Sequence, residues 1–183
     1  FGHKGAGTPE LLQELGEKYR FGVKVIPPVQ VNGQVISSSL IRKALDSGEI
    51  KQARAMLGYD PMLEGQVIEG EQRGRTIGFP TANLAVSSEL NVPGNGVYAA
   101  HAQIKERIYT AVVNIGTKPT FHEEYPISIE AHLIDFGDDI YGEKMRLYVI
   151  DKIRDERRFN NVEELVRQIS KDRDRAIQIA SSQ

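Results

Sequence analysis

The segment Gly70-Glu-Gln-Arg-Gly-Arg-Thr-Ile-Gly-Phe-Pro-Thr-Ala-Asn83 places three glycines, two arginines and a threonine ahead of, or overlapping, a Pro-Thr-x-Asn ending. It follows Leu63-Glu-Gly-Gln-Val-Ile-Glu69, whose Val and Ile content predicts a strand. Glycines at 70, 74 and 78 permit positive φ and a close backbone approach to a ligand. Successive N–H groups in such a turn form a concave anion site, to which Arg73 and Arg75 add positive charge. Thr81 supplies a hydroxyl and Asn83 a carbonyl oxygen, both hard donors suited to a Mg²⁺ that also holds phosphate oxygens. The glycines by themselves would equally suit a plain surface hairpin. Their order matches neither the Gly-Lys-Ser/Thr ending of a Walker A loop nor the Rossmann G-x-G-x-x-G.

Downstream of this loop the chain reads as closely spaced strands at 96–104, 108–115, 127–134 and 144–153. Ile127, Ile129, Ala131 and Leu133 alternate with Ser128, Glu130 and His132, the period of a half-buried strand. Short connections carrying Gly, Pro and Asp favour antiparallel pairing. About six strands are economically closed into a barrel, which removes exposed edges. Asn161 with Glu164 three residues on is a capping box opening a terminal helix. Val162, Leu165, Val166, Ile169, Ala176, Ile177 and Ala180 form the face expected to pack on the barrel, and Lys171 to Arg175 reads as its solvated side.

The order of residues in Gly78-Phe-Pro-Thr-Ala-Asn83 closely resembles the nucleotide-binding signature of riboflavin kinases. The resemblance extends over 62–180 and implies a mainly β fold, a six-stranded antiparallel Greek-key barrel with a C-terminal α-helix. It implies that Thr81 and Asn83 hold Mg²⁺ and the ATP phosphates. Nucleotide and phosphate contacts are then expected from Gly70, Gly74, Arg75, Gly78, Thr81 and Asn83. Ile129-Glu-Ala-His-Leu-x-Asp-Phe136 is similar to the family segment with the catalytic glutamate, which points to Glu130 as the general base. By alternation Glu130 faces away from the apolar set, so it needs a cleft wall outside the barrel to be functional. Asn114, in Val113-Asn-Ile-Gly-Thr-Lys-Pro-Thr-Phe121, falls in a segment that neighbours both ligands in the family, with Lys118 where arginine is frequent. Ile153-Arg-Asp-Glu-Arg-Arg-Phe159 resembles the family's flavin-closing loop and assigns Arg154, Glu156 and Phe159 to flavin binding; Phe159 fits a hydrophobic staple for the last helix equally well. The implied activity is phosphorylation of the riboflavin 5′-hydroxyl to FMN, with ATP and riboflavin as substrates.

The first sixty residues read differently. Thr8-Pro9-Glu10 opens a helix carrying Leu11, Leu12, Leu15 and Tyr19, Val23 to Val29 is a strand interrupted by two prolines, and Asn32-Gly33 is a turn. Ser37 to Arg42 begins a second helix, and Ile50 to Leu57 is a third that ends at Gly58. These elements bury little alone. The Ile-Ser-Ser-Ser-x-Ile-Arg run at 36–42 is similar to the end of the nucleotidylyltransferase domain of bacterial FAD synthetases. The expected division is therefore 1–60, an incomplete C-terminal part of an FMN adenylyltransferase domain (a partial α/β segment), and 61–183, the kinase domain. None of the histidines at 3, 101, 122 and 132 lies in the His-x-Gly-His pattern that adenylyl transfer requires, so that activity is not expected here. Ser38, Ser39 and Arg42 read as cap and surface, and His122, Glu123 and Glu124 as solvated. The start at Phe1 reads as a fragment of a longer protein whose N-terminal adenylyltransferase domain is missing.

Composition fits this class. A 183-residue chain with 40% hydrophobic and 26% charged residues is ordinary for a globular protein. The net charge of −2 gives no global attraction to nucleic acid or membrane, and no cysteine is present for disulfides or thiolate metal sites. A cytoplasmic location and small-molecule partners are expected. Two other functions fit a small barrel: a flavin- or nucleotide-binding module without turnover, and an OB-type nucleic-acid binder. The second expects clustered exposed aromatics and a basic groove, which 7% aromatics disfavours.

Overall fold

The computed structural model describes residues 4, 6–70, 72–117 and 127–182. His3, Lys118, His122, Glu123 and Glu124 lie outside the described residues. The chain separates into two compact units, 1–36 and 37–183.

The first unit holds helix α1 (Pro9–Tyr19), capped by Thr8, whose hydroxyl accepts the Leu11 N–H at 3.2 Å. Strands β1 (Gln30–Val31) and β2 (Gln34–Val35) form a hairpin about Asn32 and Gly33, both at positive φ as a type I′ turn demands. The strand expected over 23–29 is absent: Pro27 and Pro28 lack the N–H that a ladder needs, and pairing begins only beyond them.

The second unit begins with α2 (Ser38–Asp46), capped by Ser37, and α3 (Ile50–Leu57), which ends at a left-handed Gly58. The expected boundary near residue 60 therefore does not coincide with the division by contacts. Ala44, Leu45, Ile50, Ala53 and Met56 are buried, the Gly94 N–H donates to the Leu45 carbonyl, and Lys51 pairs with Asp151 at 2.9 Å. These apolar side chains would be exposed if the helices stood apart from the strands that follow.

Those strands are β3 (Met62–Ile68), β4 (Ala82–Val86), β5 (Gly96–Ile104), β6 (Arg107–Thr117), β7 (Ile127–Leu133) and β8 (Lys144–Arg154). They close into an antiparallel barrel in the order β3-β4-β7-β6-β5-β8. The run β8-β5-β6-β7 is a Greek key, the last strand of the four returning beside the first. Strand β4, which no periodicity had marked, starts inside the Pro-Thr-Ala-Asn segment.

A six-stranded barrel is narrow, and small side chains fill it beside larger ones. Ala100, Ala102, Ala111 and Ala131 sit fully buried with Leu63, Ile129, Met145 and Leu147. Helix α5 (Val162–Ala180) covers part of the outside, burying Val97, Ala99, Val112 and Ile150 against Ala176 and Ile179. The β5–β8 register skips Ile150 and Ile153, and both residues pack with the α5 cluster.

The expected α5 face is partly corrected. Val162 and Ile177 are exposed, while Ile179 and Asp172 are buried. The inward stripe runs from half-buried Leu165 and Ile169 to buried Asp172, Ala176 and Ile179, a regular three- and four-residue spacing with a carboxylate in its centre. Asp172 falls in the 171–175 stretch expected to face solvent, and its burial corrects that expectation. The cap is as expected: the Asn161 side chain accepts the Glu164 N–H at 2.8 Å. The returning carboxylate bonds to Asn160 rather than Asn161.

Candidate active site

The loop from 70 to 81 does not form a nest of left-handed glycines. Of Gly70, Gly74 and Gly78, only Gly78 has positive φ, at 84°. Gln72 is also left-handed and leads into a one-turn helix, α4 (Arg73–Thr76). Gly74 is required for a different reason: the Phe79 N–H donates to its carbonyl at 2.8 Å, and a Cβ there would stand 2.2 Å from the Phe79 oxygen. At Gly70 a Cβ would meet the Asn83 amide, so this glycine lets the asparagine side chain lie on the backbone. From β7, His132 Nδ1 lies 2.9 Å from the Pro80 carbonyl, which can only accept, so Nδ1 carries a proton. Its ring also meets Phe79 edge-on at 5.3 Å. The histidine thereby holds the segment leading into Thr81, a role no sequence pattern had suggested.

Barrel closure brings the other polar residues into one row. Glu130 pairs across β7 with Asn83 of β4 on one side and with Asn114 of β6 on the other. Asn114 is opposite Val97 of β5, and Val97 is opposite Arg154 of β8. Directly opposed residues have Cβ atoms about 4.5–5.5 Å apart, so the row crosses five strands as a continuous outer surface. Glu130 is half-buried there, and the Ser128 hydroxyl donates to its Oε1 at 3.3 Å.

A cavity of about 320 Å³ opens over this row. Thr81, Asn114, Glu130, Arg154, Glu156 and Phe159 line it, with Gly74 and Arg73 on the loop side and Leu165, Ile169 and Asp172 from α5. Helix α5 therefore supplies the wall that makes an outward-facing Glu130 part of a cleft. Arg154 and Arg157 approach the Phe159 ring at 5.7 and 4.7 Å from its centroid. Phe159 lies two residues before the Asn161 cap, whereas a staple occupies the position immediately before it; here it is a cavity residue. The Glu156 carboxylate lies over Gly116 of β6, where a Cβ would come within 2.4 Å of Oε1.

A second cavity, about 230 Å³, lies on the other side of the loop. Arg75, Gln72 and Pro80 line it with Phe136 and the 137–141 turn, and Thr81 borders both cavities. Of the residues proposed from sequence, Gly74, Thr81, Asn114, Glu130, Arg154, Glu156 and Phe159 share the larger cavity and Arg75 the smaller. Gly70, Gly78 and Asn83 line neither; Asn83 borders the site through its pairing with Glu130.

Among the described residues no group of three or more His, Asp or Glu is placed to hold a metal ion. A hydroxyl at Thr81, just before β4, and an amide at Asn83, within it, are hard but uncharged donors. They fit an ion whose charge is balanced mainly by the phosphates of a ligand.

A riboflavin kinase family model (Flavokinase) matches residues 57–180. Bifunctional riboflavin kinase/FMN adenylyltransferase from Bacillus subtilis is 40% identical over the whole chain, which covers 58% of that protein. The protein of the same description from Escherichia coli K12 is 36% identical, with 94% of this chain and 55% of the relative covered. The chain thus spans little more than half the length of these relatives. Among solved structures, riboflavin kinase from Trypanosoma brucei superposes with TM-score 0.50 at 25% identity, covering 66% of this chain and 79% of that one. A Streptococcus pneumoniae structure described as a macrolide-efflux protein superposes with TM-score 0.84 at 36% identity, over 92% of this chain and 54% of that one. No helix of the described residues is long and apolar enough to cross a membrane.

Proposed function

The chain belongs to the riboflavin kinase family, and from that membership we propose that it transfers the terminal phosphoryl group of ATP to the 5′-hydroxyl of riboflavin. The single observation that carries this reading is that Thr81 borders two cavities, one of which also contains Glu130. Two ligands laid in them meet at one hydroxyl beside one carboxylate.

In this reading the larger cavity takes the flavin. Phe159 offers a ring face, Arg154 and Asn114 offer donors to the polar ring edge, and Leu165 and Ile169 supply apolar contact. Glu130 accepts the proton of the ribityl hydroxyl as its oxygen attacks the terminal phosphorus; the bond to the bridging oxygen breaks and ADP leaves. A side-chain carboxylate within reach of the hydroxyl can take that proton as a general base. The smaller cavity takes the nucleotide, with Arg75 and the backbone of 74–81 toward its phosphates. Thr81 and Asn83 would hold Mg²⁺, which when bound neutralises charge on the phosphate oxygens.

The wider assignment belongs to the same proposal. Residues 61–183 are the kinase domain, supported by a family match that begins at residue 57. Residues 1–60 are then the remainder of an adenylyltransferase domain, and the longer parent converts FMN onward to FAD. The absence of cysteine is compatible with a cytoplasmic location.

Incubation with riboflavin and MgATP, followed by chromatographic separation of flavins, tests the activity. FMN formation dependent on both ATP and Mg²⁺ is expected. Flavin binding without FMN would reduce the protein to a binding module, and no binding of either substrate would overturn the reading.

A further inference from the structure

Asp172 is 2% exposed, midway along the apolar stripe of α5 and on the wall of the larger cavity. A carboxylate in that place needs partners, because desolvation penalises an unpaired charge heavily. Arg154 provides them: its Nε donates to Oδ1 and Oδ2 at 3.1 and 3.0 Å, and Nη2 donates to Oδ2 at 2.8 Å. Gln168, one turn earlier on α5, donates to Oδ1 at 2.7 Å. The guanidinium is held at a third point by Nη1 donating to the Asp155 carbonyl at 2.9 Å.

We infer that Asp172 is a positioning residue for the flavin site: it fixes the guanidinium of Arg154 on the cavity wall for a neutral, planar ligand with carbonyl edges. This rests on the proposed kinase reading and deepens it. An arginine has five N–H donors. The bonds above engage Nε–H, one on Nη1 and one on Nη2, which leaves one on each terminal nitrogen for a ligand. Pairing with Asp172 cancels the net charge, so the wall presents directed donors without a general attraction for anions. The same clamp holds the guanidinium 5.7 Å from the Phe159 centroid, so one buried carboxylate sets both a polar and an aromatic contact. A packing role alone would be served better by an apolar side chain, since a buried ion pair is poor evidence of stability.

The test compares Asp172→Asn with Ile179→Ala, which loosens the same helix through a buried residue that does not itself line the cavity. Steady-state constants for riboflavin and ATP are measured together with melting temperatures. For Asp172→Asn the riboflavin KM is expected to rise about ten-fold or more, with the ATP KM unchanged. Gln168→Leu, which removes one hydrogen bond to Asp172, is expected to shift the same constant by less. Asp172→Glu, which restores the charge, is expected to recover part of the loss. Ile179→Ala is expected to lower the melting temperature and leave the riboflavin KM in place. An equal rise in riboflavin KM from Ile179→Ala, or none from Asp172→Asn and Gln168→Leu, overturns the inference. Should Asp172→Asn not fold, Gln168→Leu with an unchanged riboflavin KM overturns it alone. Failure of the kinase reading is distinct, because it leaves the unaltered chain without FMN formation.

Discussion

Asn114 stands directly across from Glu130 in the β6–β7 register, and Asn83 stands across from the same glutamate on the β4 side. A carboxylate flanked by two amides on neighbouring strands is held in place by the ladder itself, because its position on the outer face follows from pleat and register rather than from a flexible loop. Ser128, two residues away on the same face, adds a hydrogen bond to Oε1.

Replacing Glu130 by Gln keeps the shape of this site and removes the proton acceptor. Turnover is expected to fall by about 10²–10⁴. ATP binding and melting temperature should stay near those of the unaltered protein. Single-turnover FMN formation and nucleotide titration check this; undiminished turnover would take Glu130 out of the mechanism.

Thr81 borders both cavities, so loss of its hydroxyl should affect the step that joins the two substrates. Thr81→Val, nearly isosteric, is expected to move the Mg²⁺ dependence of the rate to higher concentration and lower the maximal rate, with little change in riboflavin affinity. A Mg²⁺ titration at saturating substrates gives the answer, and an unshifted curve removes Thr81 from the proposed metal site.

Two glycines distinguish the 70–81 loop from the barrel. Gly74→Ala places a methyl 2.2 Å from the Phe79 carbonyl and must displace the approach to Thr81. Because a displacement of about 1 Å can cost roughly 10²-fold in rate, activity should fall steeply while stability barely changes in this exposed loop. Gly65→Ala places its methyl 2.0 Å from the Ala85 carbonyl, between paired strands. Overpacking there is expected to lower stability by about 1–3 kcal/mol. Denaturant unfolding and specific activity, measured side by side, should rank the two variants in opposite order.

Tyr98 provides a pH signature. Its ring is buried, its hydroxyl donates to the Gly94 carbonyl, and burial, with a smaller contribution from Asp155, pushes its pKa from the ordinary 10.0 up to about 12. The folded state therefore binds this proton more tightly than the unfolded state. The associated stability is fully present below pH 10 and is lost as pH rises toward 12. Tyr98→Phe should lose about 1 kcal/mol at neutral pH from the missing hydrogen bond, and its alkaline unfolding should be less steep. Parallel unfolding curves for both proteins across that range would contradict the assignment.

Much of the fold was legible because its signals are local. The alternation at 127–133 marked β7 and its faces, and Asn161 with Glu164 marked the start of α5. What escaped was set elsewhere. Strand β4 hides in a segment that also reads as loop, and it becomes a strand by pairing with β3 and β7. Asp172 sits among charged neighbours that suggested solvent, yet the three- and four-residue spacing from Ile169 to Ala176 passes through it. Its burial required knowing that Arg154 would be there. The glycines of the loop pointed to the right segment for a partly wrong reason: Gly74 and Gly70 are needed for close packing against Phe79 and Asn83, not for left-handed backbone.

From sequence alone came the family, the strand faces, the helix start and the residue types available for phosphoryl transfer, all of which depend on short-range periodicity and motif order. Only the tertiary structure decided that Thr81 borders two cavities, that α5 turns an outward-facing Glu130 into a cleft residue, and that Asp172 clamps Arg154. The physical reason is that a strand's period specifies which way a side chain points, whereas the residues it meets are set by barrel closure and by the helix that packs outside it.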